Sequence, residues 1–70
     1  MMPLTMIDVG ESVLIKKIRG RDDTKRFLES LGFIVGSKVT IVSKFGQNFI
    51  INVKDTRVAL DQTMAKRIFV

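Results

Sequence analysis

The chain is 70 residues long, with 46% hydrophobic side chains, no cysteine, no histidine and a formal net charge of +5. That length holds one small domain over residues 1–70 and excludes a second core, while the apolar content excludes a disordered chain. Without cysteine or histidine, disulfides, thiolate or imidazole metal ligands and nucleophile–imidazole pairs are all excluded.

The opening "MMPLTMIDVGES" has no basic region ahead of its apolar residues and carries Asp8 and Glu11, unlike a signal peptide. No apolar run approaches the roughly 20 residues needed to cross a bilayer. A cytoplasmic location is therefore expected. The first strand is predicted over 12–19, "SVLIKKIR", with Val13 and Ile15 on one face. The apolar parity then switches to Ile18 across Lys16 and Lys17, which predicts a bulge or sharp bend. After the loop "GRDD", Asp22 or Asp23 is the expected helix N-cap. Thr24, Phe27, Leu28 and Leu31 follow at helical spacing, with Phe27, Leu28 and Leu31 expected to pack the helix over an open barrel end. Gly32 falls where a left-handed residue ends a helix, and Gly36 lies in the turn "VGSK". A strand with Val39 and Ile41 on one face, the hairpin "FGQN" and a strand with Phe49, Ile51 and Val53 on one face follow. Then come the turn "KDTR", a short strand with Val58 and Leu60 inward, a turn capped by Asp61 with Met64 and Ile68 on one side, and a last strand "IFV".

These connections are too short for helices crossing between parallel strands. The expected fold is mainly β: a small SH3-like barrel or half-barrel of about five antiparallel strands, with one short inserted helix and a short C-terminal helical turn. A five-stranded oligonucleotide-binding barrel is the competing fold, though it normally needs more residues.

Chemistry-bearing residues are sparse. Six basic residues lie between Lys16 and Arg26, offset by Asp22 and Asp23. Such a cluster suits phosphates, anionic lipid headgroups or an acidic protein surface, and equally the solvated edge of a strand and a helix. Tryptophan and tyrosine are absent and most of the five phenylalanines occupy positions that read as buried, so nucleic acid is an unlikely partner. Helix capping explains Asp22 and Asp23 better than a metal role does. The glycines form no phosphate-cradling motif. Met1, Met2 and Met6 are expected to fill gaps at the barrel mouth rather than to bind cuprous ion. No catalytic residue, metal site or cofactor is expected, and the chain reads as a binding module, not an enzyme.

The segments "PLTMIDVGESVLIKKIRG", "KRFLESLGFIVGSKVTIVSK" and "RVALDQTMAKRIFV" resemble the ferrous iron transport protein A (FeoA) family. Leu4, Gly10, Gly20, Arg26, Leu28, Leu31, Gly32, Gly36, Val39, Ile41, Ala59, Leu60, Ala65, Ile68 and Val70 fit that family's pattern in order and spacing, over nearly the whole chain. The resemblance implies a prokaryotic, cytoplasmic SH3-like domain that assists FeoB, a membrane transporter of ferrous iron with a GTPase domain. It also links the chain to the SH3-like domain of iron-dependent repressors. Where the family often carries Gly-Pro near a hairpin, this chain has "KFGQN", so nothing is carried over to that hairpin. With only scattered carboxylates to offer iron, the chain is expected to act by protein contact rather than by carrying metal. Leu28, Leu31, Gly32 and Gly36 form the structural motif. The expected contact surface is peripheral to the membrane, on Arg21, Lys25 and Arg26, with the hairpin tip Phe45, Gly46, Gln47 and Asn48 as a second candidate. A nucleic-acid-binding or transcription-regulatory module, and a homo-oligomer formed through a free sheet edge, are the alternatives.

Overall fold

A computed structural model describes residues 1–70. The predicted first strand is two: β1 (Ser12–Leu14) and β2 (Lys17–Ile18). They belong to different sheets because the backbone changes partner between them. The Ile15 N–H donates to the Ser37 carbonyl at 2.9 Å, and one residue later the Lys16 N–H donates to the Phe69 carbonyl at 2.8 Å. This bend is the parity switch at Lys16 and Lys17, and it lets Ile15 and Ile18 both enter the core.

Helix α1 (Asp22–Ser30) follows, with Arg21 as its N-cap residue, contrary to the expected Asp22 or Asp23. A cap residue is extended, as Arg21 is (φ −72°, ψ 161°), whereas both aspartates already lie in the first helical turn. There they act on the helix dipole, worth about 0.3–1 kcal/mol each, and Asp23 accepts the Thr24 amide at 2.8 Å. The helix ends in a Schellman motif around Gly32, whose φ is +101°. The Gly32 N–H donates to the Glu29 carbonyl at 2.9 Å and the Phe33 N–H to the Leu28 carbonyl at 3.0 Å. Leu28 and Phe33, which flank this lock, are both fully buried in one apolar cluster.

A turn whose third residue, Gly36, has φ +92° leads into β3 (Lys38–Phe45). Strands β4 (Asn48–Val53) and β5 (Thr56–Asp61) complete an antiparallel sheet of order β1-β3-β4-β5. Period-two alternation drives Val39 and Ile41, then Phe49, Ile51 and Val53, then Leu60 to the same interior. Helix α2 (Gln62–Ala65) is capped as expected by Asp61, whose carboxylate accepts the Met64 amide at 3.0 Å and the Thr63 hydroxyl at 2.7 Å. The Thr63 hydroxyl, and after it the Met64 amide, hold the Asp61 carboxyl below its usual range. The cap therefore contributes at neutral pH and is lost as pH falls through that lowered value. Strand β6 (Ile68–Phe69) pairs with β2 on one side and meets Pro3 on the other. The result is mainly β and antiparallel, but with six short strands in two sheets joined at the bend rather than one closed ladder.

All fifteen buried residues are apolar, so no charge requires a partner inside the domain. Three expectations about the core need correction. Met1, Met2 and Met6 are exposed and fill no gap, the interior having been closed by Leu4 and Ile7. Only Phe33 and Phe49 are buried aromatics, while Phe27 is 47% and Phe45 56% exposed. Phe27 fails to pack because it lies about 100° around the helix from Leu28, on the flank of the inward stripe.

The β4–β5 loop holds Lys54 and Asp55 at φ +50° and +60°, the signs of a type I′ turn. Aspartate tolerates this region and lysine does not. Replacing Lys54-Asp55 by Asn-Gly is expected to raise stability by about 1 kcal/mol. A urea titration checks this, and a lower or unchanged midpoint would show that the loop is not strained.

Candidate partner-binding groove

Helix α1 advances about 100° per residue, which sorts its side chains around the buried stripe of Leu28 with half-buried Thr24 and Leu31. Lys25 and Glu29 flank one side of that stripe and Phe27 the other, and Arg26 points almost directly away from the core. Lys25 and Glu29 face β2 across a groove of about 400 Å³. Lys16, Lys17 and Ile18 form its opposite wall, and Ile34 and Val35 close one end. Ile34 is 41% and Val35 60% exposed, in the connection between α1 and β3. The groove is thus lined by three lysines and one glutamate together with Ile18, Ile34 and Val35.

Of the expected contact residues, Lys25 alone lines this groove. Arg21, at the helix N-cap position with no side-chain cap bond, and Arg26, on the outer helix face, are both exposed and lie outside it. Arg19, also in the basic cluster, lies over the Phe69 ring at 4.8 Å, a cation–π contact that ties it to β6. The hairpin tip is a separate place. Phe45 ends β3 about 23 Å from Lys38 for a straight strand of that length, and Gln47 accepts the Gln62 amide at 2.8 Å, fastening the tip to α2. Gly46 and Gln47 make a two-residue loop between Phe45 and Asn48, which pair across it.

Ile34 and Val35 were not singled out by sequence reasoning. The available signal was two β-branched residues following the buried Phe33 and preceding the turn at Gly36, with no strand partner in which to hide. A second depression, of about 380 Å³, lies where Ser12, Thr40 and Asn52 meet on the outer sheet face and is lined by no hydrophobic residue. The Ser12 and Thr40 hydroxyls bond each other there at 2.7 Å, which satisfies them locally. No three carboxylates converge anywhere in the chain, and no helix is long and apolar enough to cross a membrane.

The FeoA domain family model matches residues 2–70. The chain belongs to the FeoA family. It is 31% identical over 70 residues to a chain named Fe(2+) transport protein A from Methanocaldococcus jannaschii, covering all of this chain and 85% of that one. Among solved structures it is similar to the FeoA of Stenotrophomonas maltophilia in complex with zinc, described as a prokaryotic SH3 domain protein, with TM-score 0.87 and 30% identity over all of this chain and 89% of that one. A crystal structure of an iron uptake regulatory protein, FeoA, gives TM-score 0.88 and 25% identity, covering 96% and 89% of the two chains. A manganese-dependent transcriptional repressor shares the fold alone, at TM-score 0.88 and 18% identity over 39% of its length. The FeoA likenesses agree with the SH3-like, mainly β fold expected from the strand pattern. The zinc belongs to the Stenotrophomonas protein.

Proposed function

We propose that this chain is a cytoplasmic, non-catalytic accessory protein of ferrous iron uptake. It acts by contact with the cytoplasmic GTPase domain of a FeoB-like membrane transporter and remains peripheral to the membrane. The observation that carries this reading is the FeoA domain match over residues 2–70. The contact runs over the basic face of α1, with Arg21, Lys25 and Arg26 meeting acidic residues of the partner.

Exposed ion pairs of this kind are worth about 0.2–1 kcal/mol each, and charge reversal adds repulsion to the loss of attraction. The double variant Arg21→Glu with Arg26→Glu is therefore expected to weaken binding to the isolated GTPase domain by about tenfold, measured by calorimetric titration. Binding unaffected by that variant but weakened by Phe45→Ala would move the contact to the hairpin tip.

A further inference from the structure

Strand β2 has one hydrogen-bonded neighbour, β6, so its other edge carries no strand. The Lys16 and Arg19 amides both donate to β6-side carbonyls, Phe69 and Arg67, each at 2.8 Å. Lys16 and Arg19 are three residues apart, so the alternation is interrupted at Lys16-Lys17; counted from Arg19, in the register that sets Ile18 opposite Ile68, the N–H and C=O of Ile18 turn to the opposite side. On that side the segment preceding β3 pairs with Ile15 through Ser37 and Gly36, at 2.9 and 2.8 Å, and then veers away at Val35 and Ile34. The groove between β2 and α1 occupies the place where a further strand would continue.

We propose that this groove is a β-addition site for an extended acidic segment of a partner protein. The segment's main chain pairs with the free edge at Ile18, its carboxylates meet Lys16, Lys17 and Lys25, and an apolar side chain packs against Ile34 and Val35. Charge complementarity selects the occupant. Three of the four charged groups at the groove are cationic, on a chain of net charge +5. A second copy of this chain does not fit, because antiparallel pairing of β2 with β2 about Ile18 would set Lys17 against Arg19, like charge against like. An anionic bilayer fits less well than a strand, because the Glu29 carboxylate lies among the residues lining the groove. The assignment goes beyond the accessory role, since it concerns what the groove recognises and not which protein carries the segment.

The probe is a fluorescein-labelled hexapeptide of alternating Glu and Val, titrated with the full chain at low salt and read by anisotropy. Binding is expected, and the same peptide with Lys for Glu is expected to stay free. Lys17→Glu with Lys25→Glu should weaken binding by about tenfold or more without shifting the melting temperature, whereas Lys54→Glu, at the other depression, should change nothing. Hydrogen exchange at the Ile18 amide should slow in the complex, which mere electrostatic association would not produce. Failure of the acidic peptide to bind overturns the proposal, as does binding insensitive to the lysine reversals or an Ile18 amide that exchanges at its free rate. Sedimentation of the chain with phosphatidylserine vesicles, abolished by the same reversals while the peptide stays free, would assign the groove to the membrane and overturn it equally.

Discussion

Phe33→Ala is expected to cost about 3–5 kcal/mol and to lower the melting temperature by tens of degrees. Phe33 is the largest fully buried side chain, and its amide closes the lock at the end of α1. A domain of this size commands only about 4–10 kcal/mol in total, so one cavity of phenylalanine volume removes a large part of its stability. The backbone bond to Leu28 survives the substitution, so the loss reports packing. Phe33→Leu, which keeps most of the volume, should cost less than about 1.5 kcal/mol. Equal melting of the alanine variant and the parent would mean that Phe33 does not sit at the centre of the core.

Gly32→Val is the second substitution with a large expected effect. A Cβ at Gly32 would meet Val53 at 3.5 Å and Lys54 at 3.6 Å, ordinary contact distances, so space is available. The cost lies in the backbone. At φ +101° an L side chain is strained, by about 1–2 kcal/mol, and a β-branched one more. Gly32→Asn, Gly32→Ala and Gly32→Val should therefore destabilise in that increasing order in urea titrations. A valine variant as stable as the parent would contradict the left-handed end of α1. Because the Gly32 and Phe33 amides close the same motif, a failure here also frees Phe33 from its register, and the two effects should not add.

Residues whose environment is set by local periodicity were legible. Val39 and Ile41, like Phe49, Ile51 and Val53, needed only alternation, and Gly32 needed only its position after a helical stripe. Asp61 was legible because an acceptor before a short turn has one obvious use. The misreadings share a cause: each depends on where an element sits relative to another. Phe27 and Leu28 are equally apolar neighbours, and only the docking angle of α1 decides which is buried. Asp22 and Asp23 miss the cap position by one and two residues in where the helix begins. Met1, Met2 and Met6 are apolar enough for a core that Leu4 and Ile7 had already filled. The groove was the least visible feature. Lys16 and Lys17 come from the bend, Lys25 from the helix and Val35 from a connection, and their convergence depends on β2 leaving one sheet for the other.

That departure reaches to the ends of the chain. The Met2 and Val70 amides each donate to the other's carbonyl, at 3.0 and 2.9 Å, and β6 lies between Pro3 and β2. During synthesis, β1 and the strands up to β5 can pair as soon as they emerge, whereas β2 and the segment around Leu4 have no partner until Ile68 to Val70 exist. Closing that circuit joins Met2 to Val70 across the domain, and its entropic cost falls on a single late event. Until then Leu4 and Ile18 lack the cover that β6 gives them, a nascent apolar surface on which aggregation and chaperone capture compete with completion of the fold. The segment around Leu4 waits for Ile68 to Val70.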